Sequence, residues 1–458
     1  MATRIIIVGG GISGLATAWY LRKYAAEASV DLEIEVRERA SRCGGKVVTD
    51  RRDGFVLEGG PDSCITTVPA GYELFEELGL KDDIITTKPE SRKVYIAHKG
   101  RLEEMPAGMR LTVPTQARAM LKSRLMSPLG KLRMMAEIFI PARKETTDES
   151  MADFVRRRFG QQTLDRIAQP LMAGIYVADP EYMSLHSTFK QFAIMEREKG
   201  SLILAMRAAA KKMKQAPPRP MFVSLRNGMG QVVERLHEEL ADIIRTDAPV
   251  SSIEELDADV IVLATLANTS ATLVESANSA LAEQLRQIRF VSTATVSLAF
   301  EKSALTHCRP IDGYGFVVPR AEKREILACT WTSMKFENRA SEDHVLMRAF
   351  VGGDAHEELL KKGDDVVIAA VRRELKELMG LQAEPCLTHI THWPEGNPQY
   401  DVGHADRIAA IRDAASATPG LFLTSCCYDG IGIPNCIAAA RRTAKAVLES
   451  VAAVSSDQ

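Results

Sequence analysis

The sequence predicts an α/β protein. A Rossmann-like dinucleotide-binding domain is assembled from discontinuous segments and joined to a mixed-sheet domain and a helical insertion. Three observations carry this reading. A short apolar strand, Ile5-Ile6-Ile7-Val8, runs straight into the hexapeptide Gly9-Gly10-Gly11-Ile12-Ser13-Gly14. Continuous apolar runs of buried-strand character return far downstream, at residues 259–264 and 420–424. Between these segments lie a stretch of helical texture, about residues 112–194, and a strand-rich stretch, residues 294–352.

The first strand and its turn have a specific chemistry. Gly9 permits the tight turn, Gly11 lets the backbone approach a pyrophosphate, and Gly14 lets the next helix pack against the strand. A helix over residues 13–26 points its free N–H groups and positive dipole end at the phosphates. A second strand, residues 32–36, ends at Glu38, whose carboxylate can accept from adenosine ribose hydroxyls. NAD and FAD both carry that ribose, so these residues leave the two cofactors equally open.

Bulk composition narrows the class. A chain of 458 residues needs two or three packed lobes. With a net charge of −2, it offers no reason to propose a nucleic-acid partner. The eight cysteines are scattered without a C-x-x-C pair. A metal or redox-disulfide site is therefore disfavoured, and a reduced cytoplasmic protein is expected. The apolar N-terminal run is interrupted by three glycines and does not read as a signal peptide. No run approaches the roughly twenty apolar residues of a membrane span, so any membrane contact is expected at the surface.

Further along, Arg42-Cys43-Gly44-Gly45-Lys46 and residues 55–62 read as loops. Ser150-Met151-Ala152-Asp153 forms a capping box before the apolar face of Phe154, Val155 and Phe159. A linker is expected at residues 215–220, a helix near residues 232–240, and another at residues 366–379. A glycine-rich turn, Gly430-Ile431-Gly432-Ile433-Pro434, precedes a terminal helix. The resulting division assigns residues 1–85, 216–275 and 415–458 to the dinucleotide-binding domain. Residues 86–215 form the helical insertion, and residues 276–414 a substrate-binding α+β domain.

Several blocks, taken in order, give this chain a resemblance to the flavin-dependent oxidases of the amine oxidase and phytoene desaturase superfamily. Within it the chain looks like a HemY-type bacterial porphyrinogen oxidase. The blocks are Glu58-Gly59-Gly60-Pro61-Asp62-Ser63, Pro170-Leu171-Met172-Ala173-Gly174-Ile175-Tyr176, Asp179-Pro180, Ser184-Leu185 and Phe189. Ser201-Leu202-Ile203-Leu204, Trp393 before Pro398-Gln399-Tyr400, Gly403-His404 and the Gly430–Pro434 turn complete them.

The resemblance implies FAD as cofactor. It places FAD contacts at Gly9, Gly10, Gly11, Ile12, Ser13, Gly14, Glu38, Arg42, Gly44, Gly45 and Lys46. Further contacts fall at Gly60, Pro61, Asp62, Ser63, Val250, Trp393, Ile431, Gly432 and Ile433. Substrate-wall positions fall at Gly174, Ile175, Tyr314, Gly315 and Phe350, where the Gly174 carbonyl can accept from pyrrole N–H groups. The implied reaction is a six-electron oxidation of a porphyrinogen, with hydride passing to flavin N5 and molecular oxygen as acceptor. No side-chain catalyst is demanded and no metal is implied. Coproporphyrinogen III is the expected substrate. Protoporphyrinogen IX, an amine or carotenoid substrate, and a non-catalytic flavoprotein scaffold are the alternatives.

Four features depart from the family pattern: Ser425, Asn435, the non-basic run Cys64-Ile65-Thr66-Thr67-Val68, and a short segment between Val250 and Asp257. His389 and His392 read as surface histidines rather than ligands, and Cys426-Cys427 as inert buried thiols. Between Arg110 and Lys144, eight basic residues face the single acid Glu137 at helical spacing. That stretch is either a solvated face, an attractor of substrate carboxylates, or a contact for a membrane surface or a heme-pathway acceptor protein.

Overall fold

The computed structural model describes residues 2–213 and 220–456. Of the expected linker, residues 215–219 lie outside them. Ile5 to Val8 form the centre of a parallel five-stranded sheet. Its spatial order is Ile244–Arg245, Leu32–Arg37, Thr3–Val8, Val260–Leu263, Leu421–Leu423. A parallel strand is covered on both faces, which is why these residues read as a continuous apolar run. Ile5 and Ile7 pack beneath the helices Ile12–Ala28 and Ile433–Ser456. Ile6 and Val8 face the opposite layer, with Leu281, Leu285, Ile408 and Ile411. The three sequence-distant segments thus share one sheet.

A second sheet of seven strands is mixed. Gly313–Val317 pairs parallel with Lys93–His98, and the remaining pairings are antiparallel. One face carries Val296, Leu298, Phe300, Phe316, Met347 and Val351. It packs against Val367, Val371 and Leu375 of the helix Asp364–Met379. Two strands of this sheet, Lys93–His98 and Arg101–Glu104, come from residues assigned by sequence to the helical insertion. They are short, and charged residues flank the buried Tyr95, Ile96 and Ala97. The period-two signal was therefore weak, and the helical lobe begins only after this hairpin.

That lobe builds its own core from Met134, Phe154, Val155, Phe159, Met172, Leu185, Leu202 and Ile203. Ser150 caps the helix Met151–Phe159, its hydroxyl accepting from the Asp153 N–H at 3.0 Å. Inside the lobe, Glu137 and Arg158 are both fully buried and paired. Glu137 also accepts from Ser201 Oγ at 2.5 Å and from the Leu202 and Ile203 amides at 2.9 and 3.3 Å. The one acid of the basic stretch therefore does not temper its surface charge. Among the described residues no helix is long and apolar enough to cross a membrane, and no cluster suits a metal ion.

Candidate functional site

The glycine turn follows the C-terminal end of Thr3–Val8, the end of the parallel sheet at which sheets of this type bind ligands. Two helix N-termini meet there, those of Ile12–Ala28 and Ile433–Ser456, and neither has an acidic residue in its first turn. The first also lacks a side-chain cap, so its leading N–H groups remain available to an anion. Gly14 sits so close to the Gly9 carbonyl that any side chain would overlap it. Gly44 crosses beside Gly11, its N–H donating to the Gly10 carbonyl at 2.8 Å.

The neighbouring contacts extend this cradle. The Glu38 carboxylate accepts from the Gly10 and Ala40 amides at 2.8 and 2.9 Å, which holds it beside the glycine turn. Its own carbonyl accepts from Ala248, bringing the segment with Val250 alongside. Arg42 folds over the loop, donating to the Cys43 and Gly45 carbonyls at 3.1 Å. Lys46 donates to the Gly396 carbonyl beyond Trp393. At the far end the Gly430 N–H donates to Tyr400 Oη at 2.8 Å, and Ile431 to Ile433 follow at the start of the last helix. An uncapped helix start, open space at Gly11 and a second acid-free helix start suit an extended dinucleotide.

The second wall is the face of the seven-stranded sheet that turns away from Asp364–Met379. Strand alternation brings Thr293, Thr295, Ser297, Arg348, Phe350 and Trp393 onto it. Most of these polar groups are buried, and they grip the Glu58–Gly60 loop. Trp393 Nε1 and Thr295 Oγ1 donate to the Gly59 carbonyl at 2.8 and 3.1 Å. Arg348 donates to the Glu58 and Gly60 carbonyls at 2.8 and 2.7 Å.

Beyond Gly60, the Asp62 carboxylate receives Lys335 Nζ at 3.0 Å on both oxygens and lies 3.4 Å from Arg348. Burial would raise its pKa, but these two cations and the Ser63 hydroxyl hold it well below the ordinary carboxylate range. The Asp62 side chain is thus committed to the protein, and Pro61 and Ser63 flank it. Burial pushes the Glu58 carboxyl up despite hydrogen bonds from Thr49 and the Met229 amide.

Gly174 and Ile175 lie in the last turn of the helix Gln169–Tyr176, and Ile175 is half exposed at 51%. The helix follows a π-turn at Leu164–Ala168 and ends where Val177 adopts φ +54°. A β-branched residue in that region is strained. The stop leaves the Gly174 carbonyl without a helical donor four residues on. The Gly174 turn abuts Val317, which shares a strand with Tyr314 and Gly315. Phe350 sits two strands away across Ala328, so the structure brings Gly315, Val317 and Phe350 to one side of the sheet, while Tyr314 falls in the irregular step between Gly313 and Gly315. The Tyr314 hydroxyl donates to the Lys88 carbonyl at 3.4 Å. Tyr176 packs edge-on to Phe189, which stacks on Phe192, tying the turn into the lobe core.

Arg348, Lys335, Thr295 and the strained Val177 escaped sequence reasoning. An arginine inside the apolar strand His344–Gly352, and the alternation of Thr293, Thr295 and Ser297 with Ala294, Val296 and Leu298, were the available signals. The cysteine pair also differs from expectation. Cys427 is buried and pushed up by that burial, whereas Cys426 is half-buried and held down by the Cys427 thiol and Lys46.

A parallel sheet that leads into a glycine turn and an uncapped helix start, joined to a mixed sheet, is the architecture of a flavoenzyme oxidoreductase. The chain belongs to the flavin containing amine oxidoreductase family, whose profile matches residues 12–448, and its cofactor is FAD. It is 32% identical to the coproporphyrinogen III oxidase of Bacillus subtilis (strain 168), over 94% of this chain and 95% of that protein. It is 33% identical to the coproporphyrinogen III oxidase of Propionibacterium freudenreichii, over 98% and 91%. A crystal structure from Exiguobacterium sp. 255-15, assigned as a protoporphyrinogen oxidase, superposes with a TM-score of 0.86 at 31% identity, covering 98% of this chain and 99% of that one.

Proposed function

We propose that this protein is an FAD-dependent coproporphyrinogen III oxidase of heme biosynthesis. It converts coproporphyrinogen III to coproporphyrin III with molecular oxygen as acceptor and hydrogen peroxide as co-product. The observation that carries the reading is nearly end-to-end similarity to coproporphyrinogen III oxidases. Bound FAD supplies hydride acceptance. The glycine turn at residues 9–14, with Glu38, Arg42 and Gly44–Lys46, holds its adenosine and pyrophosphate half. Gly60–Ser63, Trp393 and Ile431–Ile433 hold its flavin half.

The remaining residues position the macrocycle. The Gly174 carbonyl, at a helix C-terminus with partial negative charge, accepts from pyrrole N–H groups. Ile175, Gly315, Tyr314 and Phe350 form the wall that excludes water. Each two-electron round would remove a hydride from a meso carbon to the cofactor and a proton from the macrocycle, and forming hydrogen peroxide from oxygen would take up that proton; no side chain of the wall is assigned to carry it.

Initial rates on the two porphyrinogens, read as porphyrin fluorescence, test the assignment. Coproporphyrinogen III is expected to be oxidised about tenfold faster than protoporphyrinogen IX. The reverse ratio assigns the protein as a protoporphyrinogen oxidase. A yellow protein that yields no fluorescence from either refutes both.

The basic stretch supports a docking role for the helical lobe. Leu121, Leu129, Leu132 and Phe139 are 63%, 77%, 68% and 81% exposed on successive short helices, among Arg118, Lys122, Arg124 and Lys131. Large apolar side chains ringed by cations suit an anionic, partly apolar surface. The protein is expected to sediment with vesicles containing anionic lipid, and Leu129→Ser with Phe139→Ser to abolish this. If the unmodified protein stays in the supernatant, the face is not a lipid contact and an acidic protein partner takes its place.

A further inference from the structure

Tyr400 reaches the site through its hydrogen bond with Gly430, and His404 lies against Tyr400. The Tyr400 hydroxyl donates to the Cys426 carbonyl at 2.7 Å and accepts from the Gly430 N–H at 2.8 Å. It thereby clasps both ends of the loop that leads into Ile431–Ile433. The His404 ring lies parallel to the Tyr400 ring, 16° between planes and 3.9 Å between centroids. His404 is 1% exposed, and its ring nitrogens make no well-formed hydrogen bond among the described residues, with the Cys427 and Tyr428 backbones beside them.

An imidazole buried in this way contributes chiefly by shape and stacking, because its polar atoms make at best weak hydrogen bonds there. The backbone around the pair is held from the other side. Ser184 N–H donates to the Tyr400 carbonyl at 2.7 Å, Val402 N–H to the Tyr182 carbonyl at 2.8 Å, and Gly403 N–H to Asp148 at 3.2 Å. The pair therefore stands at the junction between the helical lobe and the turn that begins the last helix.

We propose that Tyr400 and His404 are positioning residues for the flavin: the tyrosine hydroxyl sets the Gly430–Ile433 turn, and the stacked histidine ring sets the tyrosine. The inference rests on reading Ile431–Ile433 as a flavin-facing turn. Three features make the turn dependent on such a clasp. Gly430 has φ +127° and adjoins the Asn435 side chain closely, and its N–H has no helical acceptor. Losing the hydroxyl leaves that N–H unpaired and frees the turn to relax.

The test titrates FAD into the full chain stripped of flavin, following quenching of flavin fluorescence, alongside the melting temperature of the flavin-free protein. Tyr400→Phe is expected to bind FAD at least tenfold more weakly, the effect of one buried hydrogen bond. His404→Asn, which loses the stack, is expected to weaken binding similarly. His404→Phe, which keeps the stack and loses the nitrogens, is expected to restore it. Gly432→Val serves as the control: a Cβ there makes only ordinary contact with Asn435 and Pro434, at 3.6 and 3.7 Å, so under the flavin-facing reading a loss of FAD affinity reports the cofactor rather than a clash within the protein. If Tyr400→Phe binds FAD within twofold of the unmodified protein while Gly432→Val binds weakly, the positioning role is wrong and the site reading stands. If Gly432→Val also binds normally, the turn does not face the flavin and the inference falls with that reading.

Discussion

Gly11→Ala is expected to yield a protein as stable as the original that has lost most of its hold on FAD. The reason is specific to this glycine. Its backbone, φ −70° and ψ 176°, is one any residue adopts, and a Cβ built on it meets no protein atom within 4 Å. The fold therefore gives no reason for a glycine at this position. What requires one is the pyrophosphate that must approach the uncapped helix start across that space. Stability of the flavin-free protein should change by less than about 0.5 kcal/mol. FAD affinity should fall about a hundredfold, equivalent to about 2.7 kcal/mol.

Gly14→Ala provides the contrast, because its Cβ would overlap the Gly9 carbonyl and the helix would have to lift from the strand. That variant is expected to lose both stability and flavin. Denaturation of the stripped proteins and fluorescence titration with FAD separate the two cases. Unchanged FAD affinity in Gly11→Ala would mean that the hexapeptide is a structural turn.

The other large effect concerns the helical lobe. Arg158→Met leaves the Glu137 carboxylate buried and deprived of its cation, and is expected to destabilise the protein by about 3–5 kcal/mol. Glu137 also receives the first amides of the helix Leu202–Met213, so a neutral replacement there weakens a helix start as well. The double variant Glu137→Leu with Arg158→Met, which removes both charges, should recover part of the loss. Urea denaturation of the four proteins measures the coupling. The single variants should reduce turnover through the displaced Gly174 turn while leaving FAD content unchanged, since the lobe carries none of the proposed FAD contacts. Additive losses in the double variant would refute a true ion pair.

Local chemistry made the cofactor cradle legible. A strand, a glycine turn and a helix are contiguous in sequence, and the spacing of Gly9, Gly11 and Gly14 follows from what a turn and a helix start demand. The capped helix at Ser150 and the buried strands 260–263 and 421–423 were readable for the same reason, since each pattern is complete within a few residues. The order in which those strands lie was not. The hairpin Lys93–Glu104 was given to the wrong lobe because its pairing partner, Gly313–Val317, lies some two hundred residues away.

The grip of Arg348 and Lys335 on Asp62 and the Glu58–Gly60 loop depends on contacts spanning hundreds of residues, which no local pattern encodes. Val177 is similar, as its strained backbone is held by packing against Gly353. Hydrogen bonding and sterics act over a few ångströms. Residues alone therefore point to a dinucleotide at the N-terminal turn, and chain folding decides which distant side chains reach the Glu58–Gly60 loop and the sheet face beside it.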